Sequence, residues 1–541
     1  MGKKYFGVML DCSRNAVMKP EQVVAYAKIL KSFGYNMIQL YTEDTYEVDG
    51  EPYFGYMRGR YTQEELKYMV DECEQLGVEV VPCIQTLAHL NQMFCWPGVY
   101  AEINDTADIL LIDEPRTYEL IENMFKSLRK CFKTEYAHIG MDEAHMVGLG
   151  KYLDKHGLAN RFELLTRHLE KVIAIAEKYG FKPMMWSDMF FRLANGGEYY
   201  PQEPKIPEEV VKITPKNVGL VYWDYYHNEK AIYDKMFDAH KKFDNELWFA
   251  GGAWKWVGFA PGNKKTLETM IPAMQSAKEQ GVDKILMTMW GDDGAECSFY
   301  SLLPSLYAIK RIYDGEEDMD KIKAEFNVIT GENYDAMFAL DIPNYVAGNE
   351  SVVGNVCKHK LYSDPFNGFL DSANVDGVSA EYEAHAKTLA AYALAAYAKD
   401  SKYAYLFESA AALCEVLELK YDLGVRTRNA YQAGDKAALT ALVNDYATVE
   451  ERVEAFYLKF RAQWYKENKT SGFDVQDQRL GGLIWRLKSC RERLTAYLAG
   501  EVDRIAELEE KILDLYGDGE NLNKKQPTFN IWAKTVSANR I

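Results

Sequence analysis

The sequence predicts an α/β chain: a (β/α)8 TIM barrel over residues 1–315, a connector over 316–374 and a mainly α-helical C-terminal domain over 375–541. Two observations predict this. Eight short apolar runs alternate with longer amphipathic stretches through the first 315 residues, and from about residue 375 the chain becomes Ala-, Leu- and Glu-rich with helical spacing. A third observation, tryptophans and carboxylates gathered where the runs finish, says which end of the barrel carries chemistry.

The strand candidates are "YFGVMLD" from 5, "MIQLY" from 37, "EVVPCIQT" from 79, "YAHIGMD" from 136, "KPMMWSD" from 182, "VGLVYWDY" from 218, "ELWFAGGAW" from 247 and "KILMTMWGD" from 284. None alternates cleanly between polar and apolar, which suits parallel strands covered on both faces. Between them, "EQVVAYAKILKSFG" and "EELKYMVDECEQLG" read as helices ending at glycine. Five further amphipathic stretches follow. Only the segment after strand five, "NGGEYYPQEPKIPEEVVKI", reads as a loop with a short helix. Eight strand–helix units favour a closed barrel over a doubly wound sheet. "VSAEYEAHAKTLAAYALAAYAKD" and the later Ala- and Leu-rich stretches predict several long helices.

With 541 residues, 48% hydrophobic and 27% charged, the chain can bury a large core. A formal charge of −18 argues against nucleic acid or an anionic membrane as partner. The start, "MGKKYFGVMLDCSRN", lacks a signal-like apolar stretch, and no run of 18 apolar residues predicts a membrane span. Nine scattered cysteines without a CxxC pair predict reduced thiols in a cytoplasmic protein.

Chemistry in such barrels gathers at the C-terminal strand ends. Read in order, those ends offer Arg14; Tyr41, Glu43 and Asp44; His89; His138, Asp142 and Glu143; Trp186 and Asp188; Trp223, Asp224 and Tyr225; Trp254 and Trp256; and Trp290, Asp292, Asp293 and Glu296. Tryptophan faces cover the apolar face of a sugar ring, while carboxylates and arginine fork its hydroxyls. The pattern therefore predicts a carbohydrate site. A barrel metal hydrolase would want an HxH pair at strand one, where this chain reads "DCSR". Neither metal nor cofactor is expected.

Asp142 and Glu143 are neighbours in sequence. Two-carboxylate glycosidases place their acids across the scissile bond, about 5–5.5 Å apart for retention and about 6.5–9.5 Å for inversion. Adjacent residues do not easily flank a ring from opposite faces. If Glu143 is the proton donor, Asp142 is badly placed to attack, but it can orient a 2-acetamido group whose carbonyl oxygen attacks instead. Adjacency alone leaves this open.

"HIGMDEAH" resembles the His-x-Gly-x-Asp-Glu signature of glycoside hydrolase family 20, the β-N-acetylhexosaminidases. The order of the other strand ends is similar too, and "GFDVQDQRLGGL" at 472–483 resembles an intracellular bacterial branch with a helical C-terminal domain. The resemblance implies an exo-acting, retaining enzyme that releases terminal β-linked GlcNAc or GalNAc through an oxazolinium intermediate. It implies Glu143 as general acid and base, Asp142 orienting the acetamide, Arg14 on the non-reducing-end hydroxyls, and Trp186, Trp254 and Trp290 walling the pocket with Trp223. His89, His138 and Asp224 join as substrate-binding candidates. For the tyrosine that donates to the acetamide oxygen, a Tyr-x-Asp spacing would choose Tyr222, whereas side-chain alternation from Trp223 chooses Tyr225. The family's Trp-x-Glu appears as Trp290-Gly291-Asp292, so Asp292 or Glu296 takes the O4/O6 contact. The expected partner is a small glycan or glycoconjugate, with a homodimer through the helical domain. Another barrel glycosidase (an exo-β-glucosaminidase or a disaccharide-releasing enzyme) and a non-catalytic sugar-binding barrel are the competing readings.

Overall fold

A computed structural model describes residues 3–349, 354–515, 517 and 531–539. Its eight long-range parallel strands are Tyr5–Asp11, Met37–Glu43, Glu79–Ile84, Tyr136–His138, Lys182–Trp186, Gly219–Trp223, Leu247–Gly252 and Lys284–Met289. We number them one to eight. They close into a barrel in sequence order, with strand one pairing strand eight from Tyr5↔Lys284 to Leu10↔Met289. Nearly every strand residue is buried, as expected when side chains fill the lumen on one face and pack under helices on the other.

The helices follow the amphipathic stretches. Pro20–Ser32 and Gln63–Gln75 are the first two, the second opened by a capping box in which Thr62 and Glu65 bond each other's backbone N–H groups. Pro115–Arg129, Arg161–Lys178, Lys230–Lys241, Asn263–Glu279 and Leu303–Asp314 complete most of the outer ring. After strand five the chain forms two short helices, Asp188–Ala194 directly at the strand end and Glu208–Ile213 further on. The first of these was not expected. It matters because it brings Asp188 and Arg192 to the mouth of the barrel.

Strand four is shorter than "YAHIGMD" suggests. Extended pairing stops at His138 because Gly140 and Met141 both adopt φ of 71°, which turns the chain out of the sheet. A Cβ on Gly140 would stand 2.0 Å from Gln85 Oε1 and 2.9 Å from the Ile84 carbonyl, so only glycine passes this point.

Beyond the barrel lie shorter helices, among them Met319–Thr330, Val356–Tyr362 and Leu423–Gln432, and four long ones: Val378–Ala398, Ala404–Lys420, Lys436–Glu467 and Phe473–Ala499. They pack on the barrel through buried contacts. Phe259 meets Phe456 and Phe460 at 5.3 Å between ring centroids, and the Ser298 hydroxyl donates to the Glu467 carboxylate at 2.7 Å. Met18 bridges Asn468. No helix among the described residues is long and apolar enough to cross a membrane.

Candidate active site

The turn that ends strand four exports Asp142 and Glu143 to the C-terminal mouth of the barrel. They share a peptide bond but meet different surroundings. Asp142 is buried, 8% exposed. Its carboxylate accepts from Gln85 Nε2 at 2.9 Å and lies 3.2 Å from His89 Nε2. Burial raises its pKa, but His89 and Gln85 outweigh burial and hold the carboxyl below its usual range. The same contact acts on His89: burial pulls its pKa down, and the Asp142 charge more than offsets that, lifting it to about 10. At neutral pH the two form an imidazolium–carboxylate pair.

Glu143 has a side chain 42% exposed, reaching into the cavity. Its carboxylate stands 3.7 Å from both His89 Nε2 and Arg192 Nη2, and its backbone N–H donates to Asp188 Oδ2 at 3.1 Å. Arg192 Nε donates to the same Asp188 oxygen at 3.2 Å. Burial and then the nearby Asp142 charge push Asp188 up to about 7.

Left-handed backbone gathers here. Glu43, His89, Met141, Glu143 and Asp292 have φ of 47°, 57°, 71°, 50° and 35°. Such residues each cost about 1–3 kcal/mol and persist where surrounding structure over-determines them, as at binding sites.

The cavity these residues frame has a volume of about 170 Å³. Arg14, Tyr41, His89, Asp142, Glu143, Trp186, Trp223, Tyr225, Tyr226, Trp256, Trp290 and Asp292 line it. Arg14 is aimed by Glu43, 3.1 Å from its Nη2, and by Asp11, 3.9 Å from its Nε. Asp292 lines the cavity with Arg14; burial pushes it up to about 6 against the pull of that guanidinium. Trp290 Nε1 donates to the Tyr225 hydroxyl at 3.1 Å, which leaves that hydroxyl its own proton to donate. Trp223 stacks on Tyr225 at 5.4 Å and 19°. Gly252 makes room for this wall: a Cβ there would stand 2.5 Å from Tyr225 Cβ and 2.8 Å from Trp256.

Nine of the thirteen predicted site residues meet in this cavity: Arg14, His89, Asp142, Glu143, Trp186, Trp223, Tyr225, Trp290 and Asp292. The other four stand outside its lining. His138 lies behind Trp186, 4.3 Å away between ring centroids; its Nδ1 accepts from the Gly140 N–H, and burial drops its pKa to about 3. Asp224 is fully buried and shapes the turn after strand six, accepting from the Tyr222 hydroxyl at 2.8 Å and the Tyr226 N–H at 3.1 Å. Of the two tyrosines weighed for the acetamide oxygen, Tyr222 gives its hydroxyl to Asp224 and Tyr225 lines the cavity. Trp254 sits behind Trp256, stacked at 4.4 Å, with its Nε1 donating to the Tyr225 carbonyl. Glu296 is taken by Lys358 and Arg479, at 2.7 and 3.3 Å. Sequence reasoning missed Gln85, Arg192 and Tyr226. Arg192 had a signal, since it follows Asp188 by four residues on one helix face. No group of three or more His, Cys, Asp or Glu among the described residues could hold a metal ion.

Two family models match. "Glycosyl hydrolase family 20, catalytic domain" matches residues 4–241, and "Glycoside Hydrolase 20C C-terminal domain" matches residues 333–526. Both models describe glycoside hydrolases. The chain belongs to glycoside hydrolase family 20. Among curated proteins, it is 25% identical over 172 residues to a beta-hexosaminidase of Akkermansia muciniphila, covering 29% of this chain and 33% of that one. It is 22% identical over 290 residues to a probable beta-hexosaminidase of Arthroderma benhamiae, covering 47% and 44%. The chain thus matches less than half the length of either. Among solved structures, the chitobiase of Flavobacterium johnsoniae aligns at 16% identity and TM-score 0.47, covering 93% of this chain and 74% of that one.

Proposed function

We propose that this protein is an exo-acting, retaining β-N-acetylhexosaminidase that uses the substrate's own acetamide as nucleophile. One observation carries the reading: of two adjacent carboxylates, Asp142 is buried against His89 and Gln85 while Glu143 stands half-exposed in the cavity. A buried carboxylate beside the proton donor suits accepting the acetamide N–H. The imidazolium of His89 keeps it anionic and so favours the positive charge that develops on the oxazolinium ring. The Tyr225 hydroxyl, oriented by Trp290, donates to the acetamide oxygen as it approaches C1.

Glu143 then protonates the glycosidic oxygen as that bond breaks, and afterwards takes a proton from the water that opens the oxazolinium. The acetamide oxygen attacks C1 from the face opposite the leaving group, and water then attacks from the face the leaving group vacated, so two inversions retain the anomeric configuration. Trp186, Trp223, Trp256 and Trp290 wall the ring, and Arg14 with Asp292 forks its hydroxyls. A cavity of about 170 Å³ suits one terminal sugar, which supports exo action. The nine unpaired cysteines, eight of them buried, support a reducing compartment.

Hydrolysis of p-nitrophenyl β-GlcNAc, with competitive inhibition by a GlcNAc thiazoline, tests this. Cleavage without inhibition by the thiazoline would favour an ordinary two-carboxylate glycosidase. Binding of the sugar without cleavage would leave a lectin-like barrel.

A further inference from the structure

The loop after strand eight carries two cavity residues, Trp290 and Asp292, and it is held from both sides of Asp292 by different parts of the chain. On the barrel side, the Gly291 N–H donates to Asp11 Oδ2 at 2.8 Å. On the other side, Asp293 is gripped from the helical region. Its carbonyl accepts from Lys358 Nζ at 2.7 Å and from Arg479 Nη1 at 3.1 Å. Its carboxylate meets Arg479 Nη2 at 3.1 Å and Lys358 Nζ at 3.2 Å, and accepts the Trp532 N–H at 2.6 Å. The same two cations hold Glu296, and Gln476 Nε2 donates to the Gly294 carbonyl at 3.2 Å.

The loop needs such a grip. Asp292 and Ala295 are L residues at φ of 35° and 51°, a conformation that relaxes unless its surroundings impose it. Lys358 is 1% exposed and Glu296 4%, so these charge-assisted bonds form where little water competes. An aspartate has only two rotatable side-chain bonds. Where its carboxylate falls in the cavity is therefore set by where its backbone stands.

We propose that Lys358 and Arg479 are positioning residues of the active site: by holding Asp293 they set Asp292 at the reach from which it and Arg14 fork the hydroxyls of the bound sugar. The helical region then governs how well the enzyme recognises its terminal sugar, although neither cation lines the cavity. This rests on the sugar-hydrolysing reading above.

The test is a double-mutant cycle on p-nitrophenyl β-GlcNAc with Arg479→Met, Asp292→Ala and their combination. Arg479→Met leaves Glu296 paired with Lys358, and unchanged circular dichroism checks the fold. The expected result is a KM raised by about tenfold in Arg479→Met, as for loss of a hydrogen bond to a charged group, with a smaller change in kcat. Arg479→Lys restores part of the loss. In the Asp292→Ala background, Arg479→Met adds nothing further, because the residue it positions is already gone. Wild-type KM and kcat in Arg479→Met, or an equal further loss in the Asp292→Ala background, overturns the proposal. Should Arg479→Met fail to fold, Arg479→Lys enters the same cycle with the same two outcomes. A wild-type protein inactive on this substrate overturns the proposed function itself, and is visible before any variant is made.

Discussion

Asp142 and Glu143 show how far one peptide bond can separate two carboxyl groups chemically. Asp142 gains a cation and an amide donor, while Glu143 keeps solvent and reach. Asp142→Asn removes the charge but keeps the shape, so it should fold normally and lose about 10²–10³ in kcat, the scale of one lost electrostatic contact to a developing charge. Near-wild-type turnover in that variant would contradict the acetamide role. The His89–Asp142 pair also makes a stability prediction. The His89 pKa rises on folding from 6.5 to about 10, so its contribution is complete below pH 6.5 and is lost as pH rises through about 10. The gap in Tm between wild type and His89→Gln should therefore be widest near pH 6 and narrow steadily toward pH 10. A gap that is independent of pH would mean the pair is not ionic.

At the scale of elements, the strand ends were readable and the turns after them were not. Apolar runs bounded by glycine and acids located all eight strands, and the barrel rule then named the face on which Asp142 and Glu143 stand. Side-chain alternation chose Tyr225 over Tyr222, and in the structure Tyr225 lines the cavity while Tyr222 bonds Asp224. Alternation no longer binds once a strand ends: it holds at Tyr225, two residues past strand six, and fails two residues past strand seven. Strand seven finishes at Gly252, and Trp254 then bridges Gly262 and bonds Thr266, which leaves the cavity wall to Trp256. Nothing local marks that swap. Gly140 is the element-scale position most open to test. Gly140→Ala would drive a Cβ into Gln85 and the Ile84 carbonyl, so it should destabilise by about 1–3 kcal/mol, as overpacking does, and cut kcat by shifting Asp142 from its Gln85 donor. A variant with unchanged Tm and kcat would show that the turn yields freely.

Across the whole molecule, the barrel and the helices share buried surface that neither could expose alone. Glu467, at the end of the longest helix, is fully buried; burial pushes it up to about 7 while Ser298 and Tyr405 donate to it. Phe259 reaches from the strand-seven loop into the aromatic stack of Phe456 and Phe460. Glu296 illustrates why sequence could not reveal this: its partners lie 62 and 183 residues further along the chain, beyond any local pattern. Such coupling predicts that barrel and helices unfold together. Scanning calorimetry should give one cooperative transition, and Glu467→Ala should lower it as a unit. Two resolved transitions, with only the helical one shifted by Glu467→Ala, would contradict a shared core.

The central claim is that the attacking atom belongs to the substrate. The most direct measurement is kcat/KM for p-nitrophenyl β-glucosaminides whose N-acyl group carries zero, one, two or three fluorines. Each fluorine weakens the acyl oxygen as a nucleophile while changing its size little, so the rate should fall progressively along the series. A flat series would mean that a side chain or a water attacks C1 instead.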